Sequence, residues 1–280
     1  MTHANSALGG GQSQRRAQGA PIVVTGSGGG IGSAIVARLR RDGWTVLATD
    51  RDEATLAAMR EAARHDAQLR CAVLDVTSAA DLQRVASELR AAQTAERPAV
   101  AGLVNVAGVR QDVMRLLKMP MDMQRHVWEV NYFGAERCIH TLAPLMIDGG
   151  GGAIVNITSI NEVRPLPLHA YAPTKVALGA LTTLAAGDLG PHGIRVNAVA
   201  PGFTLTPIFE DKLRTGKRKA EVLQAHSALG RLVRTDEIAA AVSFLLGDDA
   251  SAITGISLPV DAGWLASSHW MNFRSLADGA

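Results

Sequence analysis

A tyrosine and a lysine four positions apart are the residues whose types and spacing best suit chemistry. On a helix, Tyr171 and Lys175 would project from the same face. A tyrosine is a poor proton donor or acceptor near neutrality because its ordinary pKa is about 10. A nearby ammonium group favours the phenolate and lowers that pKa. The pair predicts proton transfer by Tyr171, although the same spacing is common on helix surfaces that carry no function.

A glycine-rich turn near the beginning of the chain predicts a phosphate site. The segment Thr25–Gly32 reads TGSGGGIG, follows the apolar run Ile22–Val24 and opens a stretch with helical periodicity. Backbone N–H groups and the helix dipole at such a turn attract an anion, and a pyrophosphate is the natural ligand. The predicted cofactor contacts in this turn are Gly26, Ser27, Gly30, Ile31 and Gly32.

An acidic residue about 20 positions beyond the glycines is typical of ribose binding. Asp50 ends the second predicted strand, where a carboxylate can accept hydrogen bonds from ribose hydroxyls. The same carboxylate would repel a 2′-phosphate, whereas the neighbouring Arg51 could hold one. NAD is therefore the expected cofactor, and NADP stays open through Arg51.

The elements that must position these residues follow from the alternation of apolar runs and amphipathic stretches. Seven runs predict strands: Ile22–Val24, Trp44–Thr49, Leu69–Leu74, Val100–Val104, Ala153–Ile157, Ile194–Val199 and Ile256–Val260. Most of the segments between them have helix length, and parallel neighbours require such crossover connections. The predicted fold class is α/β, a Rossmann-like doubly wound parallel sheet of seven strands with helices on both faces.

Two segments stand apart from this pattern. Residues 1–19 are rich in Gly, Ser, Gln and Ala and predict a disordered leader, which leaves 20–280 as a single domain. The stretch at about 203–234 has no clear strand and predicts a substrate lid. Its basic residues favour a solvated face, with recruitment of an anionic acyl thioester as the alternative. They are Lys212, Arg214, Lys217, Arg218 and Lys219.

Taken in order, these motifs resemble the short-chain dehydrogenase/reductase family from about Pro21 to about Leu265. Besides the glycine turn and the Tyr171–Lys175 segment, the resemblance is carried by Asp75-Val76, Asn105-Val106-Ala107-Gly108, Asn131, Ser159, Arg195–Gly202, Thr254-Gly255 and Asp261–Trp264. It implies an NAD(P)-dependent oxidoreductase that interconverts a secondary alcohol and a ketone by hydride transfer. Val106 departs from the family, which usually has Asn there.

The resemblance also implies a role for each catalytic residue. Tyr171 would exchange the proton, and Lys175 would hold the nicotinamide ribose as well as tune Tyr171. Ser159 would hydrogen-bond the substrate oxygen, and Asn131 would position a water in a proton relay. Ser159 precedes Tyr171 by 12 residues, one fewer than is usual, so Thr158 competes for the hydroxyl role. Ser159 is preferred from its place after the preceding strand.

Further cofactor contacts come from the same resemblance. Asp75 and Val76 would flank the adenine, and Asn105, Ala107 and Gly108 would line the cleft. The nicotinamide would be bordered by Pro201, Gly202, Thr204 and Thr206. The family commonly forms tetramers, so a homo-oligomer, a tetramer or a dimer, is expected, with Trp270 and Phe273 as candidate contacts to a neighbouring subunit.

Composition narrows the range of partners. A net charge of +2 does not indicate a surface that binds nucleic acid, and no apolar run reaches the ~20 residues that cross a membrane. Cys71 and Cys138 lie far apart in no metal spacing, which fits a reducing, cytoplasmic location. The expected partner is a small alcohol or ketone, such as a 3-oxoacyl thioester, a sugar, a polyol or a cyclic alcohol, and no metal is expected.

Two other functions compete with this interpretation. A non-catalytic dinucleotide-binding redox sensor would not need the set of Asn131, Ser159, Tyr171 and Lys175. A dehydratase or epimerase of the larger relatives usually has a different glycine spacing and a longer substrate domain. The compact chain therefore favours the dehydrogenase or reductase.

Overall fold

A parallel sheet forms the centre of the part of the chain that the computed structural model describes, residues 11–12, 18–111, 113–215 and 220–267. The strands are β1 (Pro21–Val24), β2 (Thr45–Asp50), β3 (Leu69–Val73), β4 (Gly102–Asn105), β5 (Gly152–Ile157), β6 (Ile194–Pro201), β7 (Thr204–Leu205), β8 (Val233–Arg234) and β9 (Ser257–Val260). All except β7 and β8 form one sheet in the order β3-β2-β1-β4-β5-β6-β9, with every pair parallel. Each predicted apolar run overlaps one of these strands, with ends that differ by at most two residues.

Helices connect the strands and cover both faces of the sheet. They are α1 (Gly30–Arg41), α2 (Glu53–Ala62), α3 (Ala79–Ala91), α4 (Met121–Trp128), α5 (Gly134–Asp148), α6 (Tyr171–Leu189), α7 (Pro207–Arg214), α8 (Ala220–Gln224), α9 (Thr235–Leu246) and α10 (Trp264–Ser267). A π-helical turn, Glu129–Phe133, separates α4 from α5, and a 3-10 turn, Ile160–Glu162, follows β5.

Alternate residues of each strand enter two separate cores, as expected for a sheet buried on both faces. Ile22 and Val24 of β1 pack with α1 and α9, whereas Val23 packs with α3, α5 and α6. All three side chains are fully buried. The predicted Rossmann-like α/β fold is confirmed.

The strand order reverses at β1, which pairs with β2 on one side and β4 on the other. Loops on the two sides of such a switch point run in opposite directions, which leaves a crevice outside the carboxyl ends of the strands. The loops after β1, β4, β5 and β6 all border this crevice. The fold therefore brings the predicted motifs to one edge of the sheet.

The stretch at 203–234 contains two short strands, so the expectation that it lacks a strand is wrong. β7 and β8 pair in parallel, with Thr204 opposite Val233, and fasten both ends of the stretch together. Each strand has only two residues, too few for apolar periodicity to mark it. Its predicted role as a lid stays a prediction.

Several sequence predictions lie outside the described residues: most of the leader, Lys217, Arg218 and Lys219 of the basic cluster, and Trp270 and Phe273 of the tail. Within the described part, no helix is long and apolar enough to cross a membrane. No group of three or more metal-ligating side chains occurs there either. Cys71 and Cys138 are free, and burial raises the pKa of Cys138 to about 12.

Candidate active site

The glycine turn between β1 and α1 packs directly against the loop that follows β4. Gly26 has a φ of +62°, and a Cβ built on it would lie 2.7 Å from the Ala107 backbone. A Cβ on Gly32 would lie 2.1 Å from the carbonyl oxygen of Gly26. Side chains do not fit at such distances, which is why these positions require glycine. Residues 28–31 line the crevice, so the positive end of α1 faces it.

The carboxylate of Asp50 reaches this turn from the end of β2. Its Oδ2 accepts a hydrogen bond from the backbone N–H of Gly28 at 3.0 Å, and its Oδ1 accepts one from Asp52 at 3.1 Å. The same end of the cleft is lined by Asp50, Arg51, Asp75 and Val76. An acidic acceptor and a neighbouring guanidinium thus lie together beside the glycine turn.

Two residues predicted to touch the cofactor turn their side chains away from the cleft. The backbone N–H and the hydroxyl of Ser27 both donate to the carbonyl oxygen of Thr49, at 3.0 and 3.1 Å. The Asn105 carboxamide donates to Asn156 at 2.9 Å, and Asn156 donates to Thr182 on α6 at 2.9 Å. Neither Ser27 nor Asn105 lines the cleft. Both side chains join neighbouring elements, so the geometry does not support a cofactor contact through either.

Tyr171 and Lys175 lie on the first two turns of α6 and both line the cleft. Lys175 is only 4% exposed, and its Nζ donates to the carbonyl oxygen of Ile157 at 2.7 Å. The same Nζ lies 5.6 Å from the centroid of the Tyr171 ring. Burial lowers the pKa of Lys175 to about 8, while the negative charge of Glu162 acts to raise it. The amine is thus mainly protonated at neutral pH.

The phenol of Tyr171 is half-buried, and burial raises its pKa. A hydrogen bond with the Ser159 hydroxyl and the positive charge of Arg110 both act to lower this pKa, but burial outweighs them. The expectation that the pKa of Tyr171 falls below its ordinary value is therefore wrong for the chain on its own. Loss of hydration disfavours the phenolate more than these neighbours favour it.

The two candidate hydroxyls beside Tyr171 point in different directions. The Ser159 hydroxyl acts to lower the pKa of Tyr171 and accepts hydrogen bonds from the N–H and the carboxamide of Asn161, at 3.2 and 3.0 Å. The Thr158 hydroxyl donates to the carbonyl oxygen of Val199 on β6 at 3.2 Å. Ser159 therefore faces the tyrosine, and Thr158 faces the sheet.

Asn131 clamps the loop that follows β4 from the π-helical turn. Its Oδ1 accepts a hydrogen bond from the N–H of Val109 at 2.8 Å, and its Nδ2 donates to the Val109 carbonyl at 2.9 Å. The same Nδ2 donates to the Thr174 hydroxyl on α6 at 3.3 Å. Asn131 is 1% exposed and does not line the cleft. The side chain holds the loop against α6, and its water-positioning role stays a prediction.

The cleft encloses about 540 Å³, within the ~300–1,000 Å³ of small-molecule sites. Besides the residues above, its walls include Ala107, Gly108, Pro201, Gly202, Thr204 and Thr206. An apolar part is formed by Leu166, Leu168, Phe203, Ile208 and Phe209. The start of α7 also rests on the glycine turn, because a Cβ on Gly30 would lie 2.8 Å from Pro207 and 3.1 Å from Thr206. The stretch at 203–234 thus forms part of the cleft wall.

Most of the chain matches known proteins. Residues 26–265 match a family model described as Enoyl-(Acyl carrier protein) reductase. Short-chain reductase protein NovJ from Streptomyces niveus is 35% identical over 249 residues, which cover 86% of this chain and 92% of NovJ. The chain belongs to the short-chain dehydrogenase/reductase family. A second relative, 2,5-dichloro-2,5-cyclohexadiene-1,4-diol dehydrogenase from Sphingobium indicum, is 33% identical over 251 residues, 89% of this chain and 98% of that protein.

Solved structures agree with this family. An oxidoreductase of the short-chain dehydrogenase/reductase family from Burkholderia thailandensis is 32% identical, with a TM-score of 0.83 over 92% of this chain and 97% of that chain. A structure described as ribose-5-phosphate isomerase from Brucella melitensis 16M is 40% identical, with a TM-score of 0.84 over 92% and 96%. ElxO with NADP bound is 25% identical, with a TM-score of 0.82 over 88% and 99%.

This short-chain dehydrogenase/reductase is an NAD(P)-dependent oxidoreductase that interconverts a secondary alcohol and a ketone. Three residues beside its Tyr171–Lys175 pair carried no recognisable sequence signal. Arg110 lines the cleft, and Gln111 accepts a hydrogen bond from the N–H of Tyr171 at 2.9 Å. The Glu162 carboxylate accepts a bond from the Ser257 hydroxyl at 2.8 Å. Tertiary contacts bring all three to the site, and no motif spacing marks them.

Proposed function

We propose that Tyr171 exchanges a proton with the substrate oxygen while a hydride moves between the carbinol carbon and the nicotinamide. The observation that best supports this proposal is a single cluster at the start of α6. Within it, Ser159 lies close enough to the Tyr171 phenol to act on its pKa, and Lys175 Nζ lies 5.6 Å from the tyrosine ring centroid. All three residues line the cleft. Positioned proton transfer of this kind contributes ~100- to 10,000-fold to rate.

Each member of the cluster has a distinct task. The Ser159 hydroxyl lies beside the phenol, so it can hydrogen-bond a substrate oxygen and hold it next to Tyr171. The raised pKa of Tyr171 keeps the phenol protonated at neutral pH, which suits proton donation to a ketone. Alcohol oxidation requires the phenolate, which the charges of Lys175 and Arg110 favour. Lys175 would also hold the nicotinamide ribose.

The cleft offers a position for the pyrophosphate of a dinucleotide and another for one of its riboses. Gly28, Gly29 and Gly30 carry no side chains of their own where α1 begins, and the helix dipole there favours a pyrophosphate. Asp50, held beside the turn by its bond to Gly28, would accept bonds from ribose hydroxyls. When bound, the nicotinamide supplies the hydride acceptor or donor.

We infer that NAD is the preferred cofactor of the two. A carboxylate at the position of Asp50 disfavours the 2′-phosphate of NADP. Arg51 lies exposed beside it and lines the cleft, and NADP is bound in the related ElxO structure. NADP is therefore the alternative, and parallel titrations with both nucleotides decide between them.

The substrate class is proposed from relatives and from the cleft wall. Galactitol 2-dehydrogenase from Rhizobium johnstonii is 33% identical over 256 residues. The (3R)-3-hydroxyacyl-CoA dehydrogenase of Mus musculus is 34% identical over 261 residues. Together with the cyclohexadiene-diol dehydrogenase described above, these relatives support polyols, cyclic alcohols and 3-oxoacyl thioesters as candidates. Leu166, Leu168 and Phe203 offer a surface for a carbon skeleton. Arg214 of the basic lid cluster is ion-paired with Asp211 at 2.5 Å, which weakens the case for thioester recruitment there.

We also infer a homo-oligomer, a dimer or a tetramer, in a cytoplasmic location. The outer face of α6 exposes Val176 and Leu184, at 43% and 68%. Exposed apolar side chains along one helix are typical of a surface that another copy covers. The free thiols of Cys71 and Cys138 support a reducing compartment. Light scattering coupled to gel filtration measures the assembly directly.

The test of the proposed chemistry is a panel of ketones and alcohols assayed with NAD and NADP, in the native enzyme and in Tyr171→Phe. The variant should lose about 100- to 10,000-fold in kcat, while its nucleotide affinity by fluorescence titration stays unchanged. Tyr132→Phe is the matched control, because the Tyr132 hydroxyl bonds Glu136 at 3.2 Å and lies outside the cleft. Binding without turnover would favour the redox sensor, and the absence of nucleotide binding would overturn the proposal altogether.

A further inference from the structure

Arg110 is a cation in the cleft that has no carboxylate partner within the part of the chain that the structure describes. It is exposed, lines the cleft two residues after Gly108, and lies close enough to Tyr171 for its charge to act on the phenol. No ion pair or hydrogen bond of its side chain occurs among the described residues. By contrast, arginines on the outer surface such as Arg40 and Arg231 pair with carboxylates, at 2.6 and 2.7 Å.

The backbone on both sides of Arg110 is pinned. On one side, the Asn131 carboxamide binds the N–H and the carbonyl of Val109 at 2.8 and 2.9 Å. On the other side, Gln111 is 8% exposed, and its Oε1 accepts the N–H of Tyr171 at 2.9 Å as well as that of Ala170. Ala170, the N-cap of α6, has no side chain that could do this. The loop is thereby fixed to the helix that carries Tyr171.

The other charged residues that line the cleft have other tasks. Asp50, Arg51 and Asp75 lie at the end proposed for the adenosine, and Lys175 is buried against the carbonyl of Ile157. Arg110 is therefore the charged group left for the substrate in the described part of the cleft. The cleft wall also includes Val109, Leu166 and Leu168, whose apolar side chains offer no competing hydrogen bonds. A guanidinium in such surroundings selects planar or tetrahedral anions, which it can bind bidentately.

We propose that Arg110 binds a carboxylate or phosphate substituent of the substrate, so that hydroxy acids or phosphorylated polyols are preferred over neutral alcohols. This inference rests on the proposed function of the same cleft. The anion and the reacting carbinol would be held by groups of fixed separation, because Gln111 ties the loop of Arg110 to the first residue of α6. The carbon chain between them is thereby selected by length.

The test compares anionic substrates with neutral partners of nearly the same shape. The pairs are 3-hydroxybutyrate with methyl 3-hydroxybutyrate, and sorbitol 6-phosphate with sorbitol. In the native enzyme, kcat/KM should be higher for the anionic member of at least one pair. A preference for 3-hydroxybutyrate indicates a carboxylate site, and a preference for sorbitol 6-phosphate indicates a phosphate site. Arg110→Gln should reduce this ratio about 10- to 100-fold, the effect expected for a hydrogen bond to a charged group. Any effect on Tyr171 itself cancels in the ratio.

Two further variants sharpen the comparison. Arg110→Lys should retain part of the preference, because a lysine keeps the charge without the fork of donors. Arg51→Gln, which removes the other exposed arginine of the cleft, should change nucleotide affinity and leave the anionic-to-neutral ratio as it is. A native enzyme that prefers the neutral member of both pairs, or a ratio that survives Arg110→Gln, would overturn the inference.

Failure of the proposed function can be distinguished from failure of this inference by a binding measurement. If nucleotide binds but none of the four compounds is turned over, calorimetric titration of 3-hydroxybutyrate and of sorbitol 6-phosphate into the NAD-loaded protein decides the inference. The affinity for one of them should fall about 10-fold or more in Arg110→Gln. Equal affinities in the native protein and the variant would refute an anion site at Arg110.

Discussion

Replacing the buried Lys175 with methionine should stabilise the protein at neutral pH while it destroys activity. The pKa of Lys175 falls from its ordinary 10.5 to about 8. Each pH unit of such a difference corresponds to about 1.36 kcal/mol, so the buried charge costs about 3 kcal/mol relative to the unfolded chain. Methionine has a similar length and volume and carries no charge. The free energy of unfolding of Lys175→Met should therefore exceed that of the native enzyme at pH 7.

The pH dependence of the free energy of unfolding has a direction that follows from the lowered pKa of Lys175. Between about pH 8 and 10.5 the unfolded chain holds the lysine proton more tightly than the folded protein does. Stability of the native enzyme therefore rises with pH in this window, whereas Lys175→Met lacks this contribution. The gap between the two free energies should close by about 2 kcal/mol from pH 7 to pH 9.5. Loss of the bond to the Ile157 carbonyl destabilises the variant too, and the difference in this bond between the charged and the neutral amine is already contained in the pKa shift.

Urea unfolding of both proteins at pH 7 and pH 9.5 measures this change, provided that the slopes with denaturant agree. Lys118→Met is the control, because Lys118 is exposed at the surface. The difference in free energy of unfolding between this variant and the native enzyme should be the same at both pH values. A gap for Lys175→Met that also stays constant, or that widens as the pH rises, would refute the reasoning. Confirmation would mean that stability is lost at this position in exchange for function.

Two other predictions concern the frame around Tyr171. Gln111→Ala removes the acceptor for the first N–H groups of α6 and should lower the free energy of unfolding by about 1–3 kcal/mol in urea. Gln111→Glu keeps an acceptor and should recover most of the lost free energy of unfolding. Equal stability of the native enzyme, Gln111→Ala and Gln111→Glu would contradict a capping role. Gly26→Ala places a Cβ 2.7 Å from the Ala107 backbone and should reduce NAD affinity at least 10-fold by fluorescence titration. Gly187→Ala on α6, with nothing within 4 Å, should leave that affinity unchanged.

The fold was predictable because its determinants are local and repeated. Each strand of the central sheet has an apolar run long enough to be recognised in the sequence. The glycine turn marks the position where β1 ends and α1 begins. Tyr171 and Lys175 were predictable for the same reason, since helical spacing alone places them on one face. β7 and β8 have only two residues each and are held by pairing between distant segments, which no local pattern records.

Side-chain direction was the part of the site that motifs could not supply. Ser27 and Asn105 occupy motif positions, yet their side chains bond Thr49 and Asn156 because packing at the strand ends turns them inward. The net pKa of Tyr171 depends on burial, which the Tyr–Lys spacing does not report. Gln111 reaches α6 across 60 positions of sequence, so only the folded chain reveals it as a cap.

The start of α7 touches both halves of the cleft. Thr206 and Pro207 line the cleft and also press on the glycine turn at Gly30, where the absence of a Cβ leaves them room. A movement of α7 that admits substrate would therefore also uncover the pyrophosphate position. If the stretch at 203–234 acts as the predicted lid, a nucleotide that arrives first would be retained until product has left. The expected kinetic scheme is compulsory-ordered, with the slow release of nucleotide as its final step.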